Sequence, residues 1–261
     1  MAAVPTRAAE SDAGENRAAM RLMRILDLFL ETEHGVTLTD VSRRLELPKS
    51  TAHSILQTMR RQGYLTWDPA TKRYTIGLRV MALARAAPLR EQLQARARPS
   101  LEALAGELGE TAILGLLEHD AVVYVDKVEN DDAVRYTVPL GDRRPLHSTS
   151  IGKLFLAEWT DEDVRAFLRR AGQPRYTRAT LTDPDRLLAD LRRVRETGVA
   201  IDAEESVDGV VGVAAPVRGP DGGLLAGVAI VGGTRVNRKL AETQAAVARA
   251  VTGLSRALAD R

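Results

Sequence analysis

Cysteine is missing from all 261 residues, which excludes disulfides, thiolate metal sites and cysteine nucleophiles together. Aromatic residues make up only 4% of the chain, so its cores must be built from Leu, Val, Ile and Ala. No apolar run approaches the ~20 residues that a membrane-spanning helix needs. The opening MAAVPTRAAESDAGENR has acids and no apolar stretch, unlike a signal peptide. A soluble, cytoplasmic protein is the expectation. What is present is ordinary globular composition, 44% hydrophobic and 28% charged, in a length that suits one large or two ordinary domains.

The net charge of +2 hides an uneven distribution. From Arg17 to Glu91 thirteen Lys/Arg face seven Asp/Glu, a net of +6, so both the first sixteen residues and the rest are slightly acidic. A polyanionic partner would meet the front of the chain.

Residues 1–16 lack periodicity and are expected to be a disordered tail. Leu22, Ile25, Leu26 and Phe29 then form one helical stripe. TLTDVSRRL places Thr37 and Asp40 at capping-box spacing ahead of Leu38, Val41 and Leu45. A third helix starts in PKSTAHSILQTMRRQG, with Pro48 suited to its first position, Gly63 to its end, and Ala52, Ile55, Leu56 and Met59 facing inward. Its other face is short, polar and free of acid at the start, as entry into a major groove requires. YLTWDPATKRYTIG alternates around a turn and reads as a hairpin with Lys72 and Arg73 near its tip. Three helices and a basic hairpin make a winged helix-turn-helix over 17–77. Ser50, Thr51, His53 and Ser54 are the candidates for base edges; Arg43, Arg44, Lys49, Lys72 and Arg73 are the candidates for phosphates. A small protein-binding module with a polar face is the competing interpretation.

The run LTDVSRRLELPKSTAHSILQTMRRQGYLTWDPATKRYTIGLRVMALA resembles the DNA-binding half of the IclR family of bacterial transcription regulators. The family usually carries Arg where this chain has Ser54, so its base readout is expected to differ. The resemblance also implies a linker helix over 78–91 that joins the two halves and helps pair subunits; a helix packed on its own domain is the alternative. The run from Leu78 to Gly109 is helical by composition, with Pro88 and Pro99 expected to interrupt it, which puts the start of the second domain near Gln92.

Beyond it, TAILGLLE and AVVYVDKVE are strands joined at His119-Asp120, and AVRYTVPLG is expected to be a third. DEDVRAFLRRAG and DPDRLLADLRRVRETG are helices; VAIDAEE, VVGVAAPVRG and LLAGVAIVGG are strands; the chain closes on an amphipathic helix. The class is α+β, with a mainly antiparallel sheet over 92–261.

PLHSTSIGKLF, from Pro145 to Phe155, looks like a phosphate loop but has His147 and Leu154 where that loop needs Gly and Ser/Thr. No G-x-S-x-G is present, and Ser148 beside His147 is not a triad. His34, His53, His119 and His147 form no H-x-x-x-H pair, so neither metal nor cofactor is expected, although a spatial site joining His147 to Asp202 or Glu204 stays open. A helix start remains, capped by Ser148, Thr149 or Ser150, whose backbone N–H groups attract a small anion. Lys153 then reads as a structural or surface residue.

PLHSTSIGKLFLA resembles the effector-domain signature of the IclR family, and GVAIDAEESVDGVVGVAAPVRGPDGGLLAGVAIVG resembles its closing strands. The resemblance implies a GAF-like pocket for a small organic effector, involving Ser148, Thr149, Ile151, Gly152, Asp202, Glu204, Gly212, Ala229 and Val231. Many members have Cys at the position of Gly212 and Ser at those of Ala229 and Val231. Fewer polar groups and more room predict a bulkier, less polar effector, such as an aromatic acid, with its anionic end at 148–152. The expectation is therefore a ligand-responsive repressor of a catabolic operon, acting as a dimer or a dimer of dimers on double-stranded operator DNA. The alternative is a small-molecule hydrolase with a helical assembly domain.

Overall fold

The computed structural model describes residues 16–32, 34–84, 88–129 and 138–259. The chain divides into two compact units, Met1–Ala87 and Pro88–Arg261. The expected 1–16 tail lies, apart from Asn16, outside the described residues.

In the first unit, helix α1 (Arg17–Asp27) is capped by the Asn16 side chain, which accepts from the Ala18 and Ala19 N–H groups. The helix ends earlier than its stripe implies: Leu28–Glu31 is a 3-10 turn, so Phe29 packs from that turn and Leu22 is left exposed. Strand β1 (Val36–Thr37), too short to show alternation in sequence, precedes α2 (Leu38–Arg44) and α3 (Lys49–Arg61). Pro48 is the N-cap of α3, one place before its expected position. The hairpin is β2 (Leu65–Asp68) and β3 (Arg73–Ile76), in an antiparallel sheet of order β1-β3-β2. Ile25, Val41, Ala52, Leu56, Met59, Leu65 and Tyr74 form its core. Helix α4 (Leu78–Ala84) follows, with Leu78, Met81 and Leu83 exposed. The expected linker helix thus covers α4, residues 85–87 outside the described set, and the start of α5.

Helix α5 (Pro88–Leu108) opens the second unit and runs straight through Pro99, contrary to the interruption read from sequence. Proline removes one backbone donor; burial of Leu93, Ala97, Leu101 and Leu104 along the same helix holds the segment together across that defect. Strands β4 (Thr111–Glu118), β5 (Ala121–Val128) and β6 (Arg143–Pro145) follow. The strand expected at AVRYTVPLG falls mostly outside the described residues, and 138–141 is turn and coil. Next come α6 (Ser150–Ala157), α7 (Asp161–Ala171), α8 (Pro184–Thr197), β7 (Ala200–Ala203), β8 (Val211–Arg218), β9 (Leu224–Gly232), α9 (Thr234–Arg238) and α10 (Leu240–Ala259). The closing helix is therefore two. Helix α8 starts at Asp183-Pro184 and stops at left-handed Gly198, as its sequence signals predict.

The six strands form one antiparallel sheet of order β6-β5-β4-β9-β8-β7. Leu, Val and Ala from α5 and α10 bury one face. Ile151, Leu154, Phe155 and the apolar sides of α7 and α8 bury the other. Ile151 fits because Gly115 and Gly227, opposite each other on β4 and β9, lack the Cβ atoms that would strike it. Helix α6 is buried along its whole length, which fixes where its N-terminus meets the sheet.

Candidate DNA interface and effector site

The first unit presents α3 on a well-anchored frame. Thr37 and Asp40 form a complete capping box at the start of α2: Asp40 N–H donates to Thr37 Oγ1 at 3.1 Å and Thr37 N–H to Asp40 Oδ2 at 3.0 Å. The Thr37 N–H, together with the Thr37 hydroxyl that donates to the same Oδ2 at 2.7 Å, holds the Asp40 carboxyl below the usual range. Burial of Ala52, Leu56 and Met59 turns Lys49, Ser50, His53 and Ser54 outward, with Thr51 half-buried beside them. Helix α3 contains no acid. Arg43 and Arg44, at the end of α2, are also exposed. Gln57, left out of the candidate set, donates to Tyr74 Oη at 3.2 Å and so ties α3 to the hairpin. Only its place on the polar face hinted at this.

The hairpin separates its two cations. Asp68 closes the turn by accepting from Ala70 N–H at 2.9 Å and Thr71 Oγ1 at 2.7 Å. Lys72 stands exposed at the turn with a left-handed backbone, φ 56°. Arg73 is half-buried and turns back, donating from Nη1 to the Gly35 carbonyl at 2.8 Å. Arg73 thus pins the hairpin to the loop before β1 while Lys72 occupies the tip.

In the second unit the capping choice resolves to Thr149. Its Oγ1 accepts from Gly152 N–H at 3.1 Å and donates to the Pro145 carbonyl at 2.7 Å, so it closes the turn and starts α6 together. Gly152 is dictated by packing: a Cβ there would lie 2.5 Å from the Leu146 backbone. The strand register sets Asp202 opposite Gly212 and Gly212 opposite Val231. Ser150 Oγ reaches this row, 2.9 Å from where a Gly212 Cβ would sit. The room expected at Gly212 is therefore partly filled by the Ser150 hydroxyl. Asp202, Gly212 and Val231 share this row, Ser148 joins it through Ser206, and Ala229 lies two pairs further along β9. Ile151 points its side chain into the sheet, so only its backbone faces the helix start.

Glu204 does not join them. With φ 61° its carboxylate accepts from Gly209 N–H at 3.0 Å and closes its own loop. Its neighbour Glu205 is the buried one, and takes the charge of Lys153. Lys153, which sequence left as structural or surface, is 1% exposed and lies 2.7 Å from Asp190 and 2.5 Å from Glu205, and donates to the Ile201 carbonyl at 2.8 Å. Burial pushes the Glu205 carboxyl up against the pull of Lys153. Burial likewise raises Asp202, whose Oδ1 accepts from Glu205 N–H at 2.7 Å and Ser206 N–H at 3.3 Å. Ser206 Oγ donates to the Ser148 carbonyl at 2.7 Å and locks this loop to the helix start. The alternating DAEES run gave no sign which acid would turn inward.

His147 stacks on Tyr176 at 5.9 Å, and its Nε2 donates to the Pro174 carbonyl at 3.1 Å. Burial holds its imidazole below the usual value. The open site of His147 with Asp202 or Glu204 therefore has its Nε2 committed elsewhere. Among the described residues no three His, Cys, Asp or Glu are grouped as metal ligands. A cleft of about 320 Å³ lies at the other end of α6, between Leu117, Phe155, Glu158, Trp159, Leu224 and Leu225; none of the expected effector residues lines it. No described helix is long and apolar enough to cross a membrane.

Comparison with known proteins decides the family. Residues 18–69 match the IclR helix-turn-helix domain, and residues 87–257 match the bacterial transcriptional regulator IclR C-terminal domain. This chain belongs to the IclR family of DNA-binding transcriptional regulators. It is 36% identical to the HTH-type transcriptional regulator BhcR of Paracoccus denitrificans over 252 residues, 96% of this chain and 90% of that protein. It is 32% identical to the transcriptional repressor IclR of Escherichia coli over 79% of this chain and 76% of that protein. An IclR homolog complexed with 4-hydroxybenzoate, from Microbacterium hydrocarbonoxydans, shares the fold with a TM-score of 0.81 at 26% identity, covering 92% of this chain and 98% of that one. An IclR family of regulators leaves the hydrolase alternative without a basis, and the α+β class with an N-terminal helix-turn-helix holds.

Proposed function

We propose that this IclR-family regulator is a ligand-responsive repressor of a catabolic operon whose effector is an aromatic acid. The observation that carries the DNA half is the exposed start of α3, where Lys49, Ser50, His53 and Ser54 stand together without an acid. Ser50, Thr51, His53 and Ser54 read base edges, while Arg43, Arg44, Lys49 and Lys72 hold phosphates. Arg73 contributes from behind the tip. A dimer, or a dimer of dimers, sets two α3 helices in successive major grooves of a near-palindromic site.

The effector half rests on the α6 start. Ser148 and the backbone N–H of Ile151 take the carboxylate, aided by the helix dipole, at a start whose shape the Thr149–Gly152 cap fixes. Asp202, Gly212, Ala229 and Val231 form the floor, with Glu204 shaping the adjoining loop. Ala229 and Val231 give that floor a largely apolar surface, which suits a ring, and 4-hydroxybenzoate in a structural neighbour agrees in size and charge. The effector alters operator affinity because it prefers one of two states of its domain.

Operator binding followed by fluorescence anisotropy tests this. The expectation is that 4-hydroxybenzoate changes operator affinity by about tenfold or more, while glyoxylate and pyruvate leave it unchanged. The reverse ranking overturns the aromatic reading. Lower transcription of the adjoining genes after deletion of the chain overturns the repressor reading.

A further inference from the structure

One donor beside the α6 start is used neither by the fold nor by the effector reading. Arg144 lies on β6 opposite Val122 of β5, and that register turns its side chain toward the α6 side of the sheet, where Val122 is core. Its side chain is only 12% exposed. Nη2 meets Asp142 Oδ2 at 2.7 Å, a carboxylate itself one-third exposed. The guanidinium carbon stands 5.9 Å from the Tyr124 ring centroid. Its charge also reaches the Tyr176 phenol, easing the upward push of burial there. Nε, however, is buried and has no hydrogen-bond partner among the described residues.

An unpartnered donor on a buried cation is costly, because desolvation is lost without a bond to replace it. Such a donor in a native fold calls for an explanation, and a ligand bound there would supply one. The planar guanidinium fork matches an oxygen-bearing anion better than any other partner. The place is suggestive too. Arg144 precedes Pro145, whose carbonyl holds Thr149 Oγ1 at 2.7 Å, so Arg144 and the helix start are opposite ends of one turn. Tyr176, near Arg144, stacks on His147 inside the same turn.

We propose that Arg144 is a second polar anchor of the effector site, so that the effector carries an oxygen-bearing group at each end of a flat ring. Its carboxylate sits at the α6 start, and its distal phenolate, hydroxyl or second carboxylate meets Arg144. This rests on the aromatic-acid reading above and narrows it from acids in general to doubly functional ones.

Calorimetric titration of the full chain with benzoate, 4-hydroxybenzoate and benzene-1,4-dicarboxylate tests it. Arg144→Met is expected to weaken the two doubly functional acids by about tenfold or more while benzoate changes less than about twofold. Asp142→Asn leaves Arg144 in place and removes its present counter-charge, so it is expected to tighten the dicarboxylate about threefold. This second variant keeps the test alive if Arg144→Met does not fold. Equal loss of all three acids in Arg144→Met, no change in any, or an unmoved dicarboxylate affinity in Asp142→Asn overturns the proposal. Failure of the wild type to bind any of the three defeats the aromatic-acid reading itself, and the proposal with it.

Discussion

Lys153 is the side chain most dependent on its neighbours. Its ammonium is the counter-charge of Glu205 and Asp190 in a setting closed to water. Removing one partner of such a group leaves buried charge uncompensated, whereas removing both costs far less. Lys153→Met is therefore expected to lower unfolding stability by about 3–5 kcal/mol, and adding Glu205→Gln to recover much of that. Urea denaturation of the single and double variants measures it, and equal losses in both refute the pairing. Sequence could place Lys153 one turn into a helix. It could not say that the helix would be buried on every side, because that depends on a sheet and on α8, whose Asp190 is 37 residues away.

In the proposed reading, helix α3 and its hairpin divide the labour of DNA contact by position. Lys49 and Lys72 are exposed cations without an ion pair among the described residues, whereas Arg73 is bonded to Gly35. Lys49→Ala and Lys72→Ala are each expected to reduce the slope of log affinity against log salt by about one, across all sequences. Ser50→Ala is expected to leave that slope alone and relax preference at one base position. Binding isotherms at several salt concentrations decide, and an unchanged slope in both lysine variants sinks the assignment. These elements were largely legible, since amphipathic spacing, a capping box and turn residues are local signals. Where reading failed, as at Pro99, the local rule was outweighed by apolar burial along α5.

Across the whole molecule, buried titratable groups make stability depend on pH in opposing senses. His147 has a folded value below its ordinary 6.5, so its contribution is present above that pH and is lost as pH falls toward the folded value. Asp202 and Glu205 are raised, so their contribution is full below their ordinary 3.8 and 4.5 and is lost as pH rises through the folded values. The difference isolates the histidine: His147→Gln is expected to gain stability relative to wild type as pH falls from about 7.5 to about 5.5. Parallel pH profiles for the two proteins contradict it.

The sequence by itself determined most of the elements, the winged front, the antiparallel back, the helix start inside PLHSTSIGKLF and the family resemblance, because each rests on residues a few positions apart. Only the tertiary structure decided that Thr149 is the cap, that Glu205 rather than Glu204 turns inward, that Ser150 partly fills the space beside Gly212, and that Arg144 keeps a buried donor to spare. Those outcomes depend on strand register and helix seating between segments tens of residues apart, and a one-residue change of register would reverse each strand side chain between the two faces.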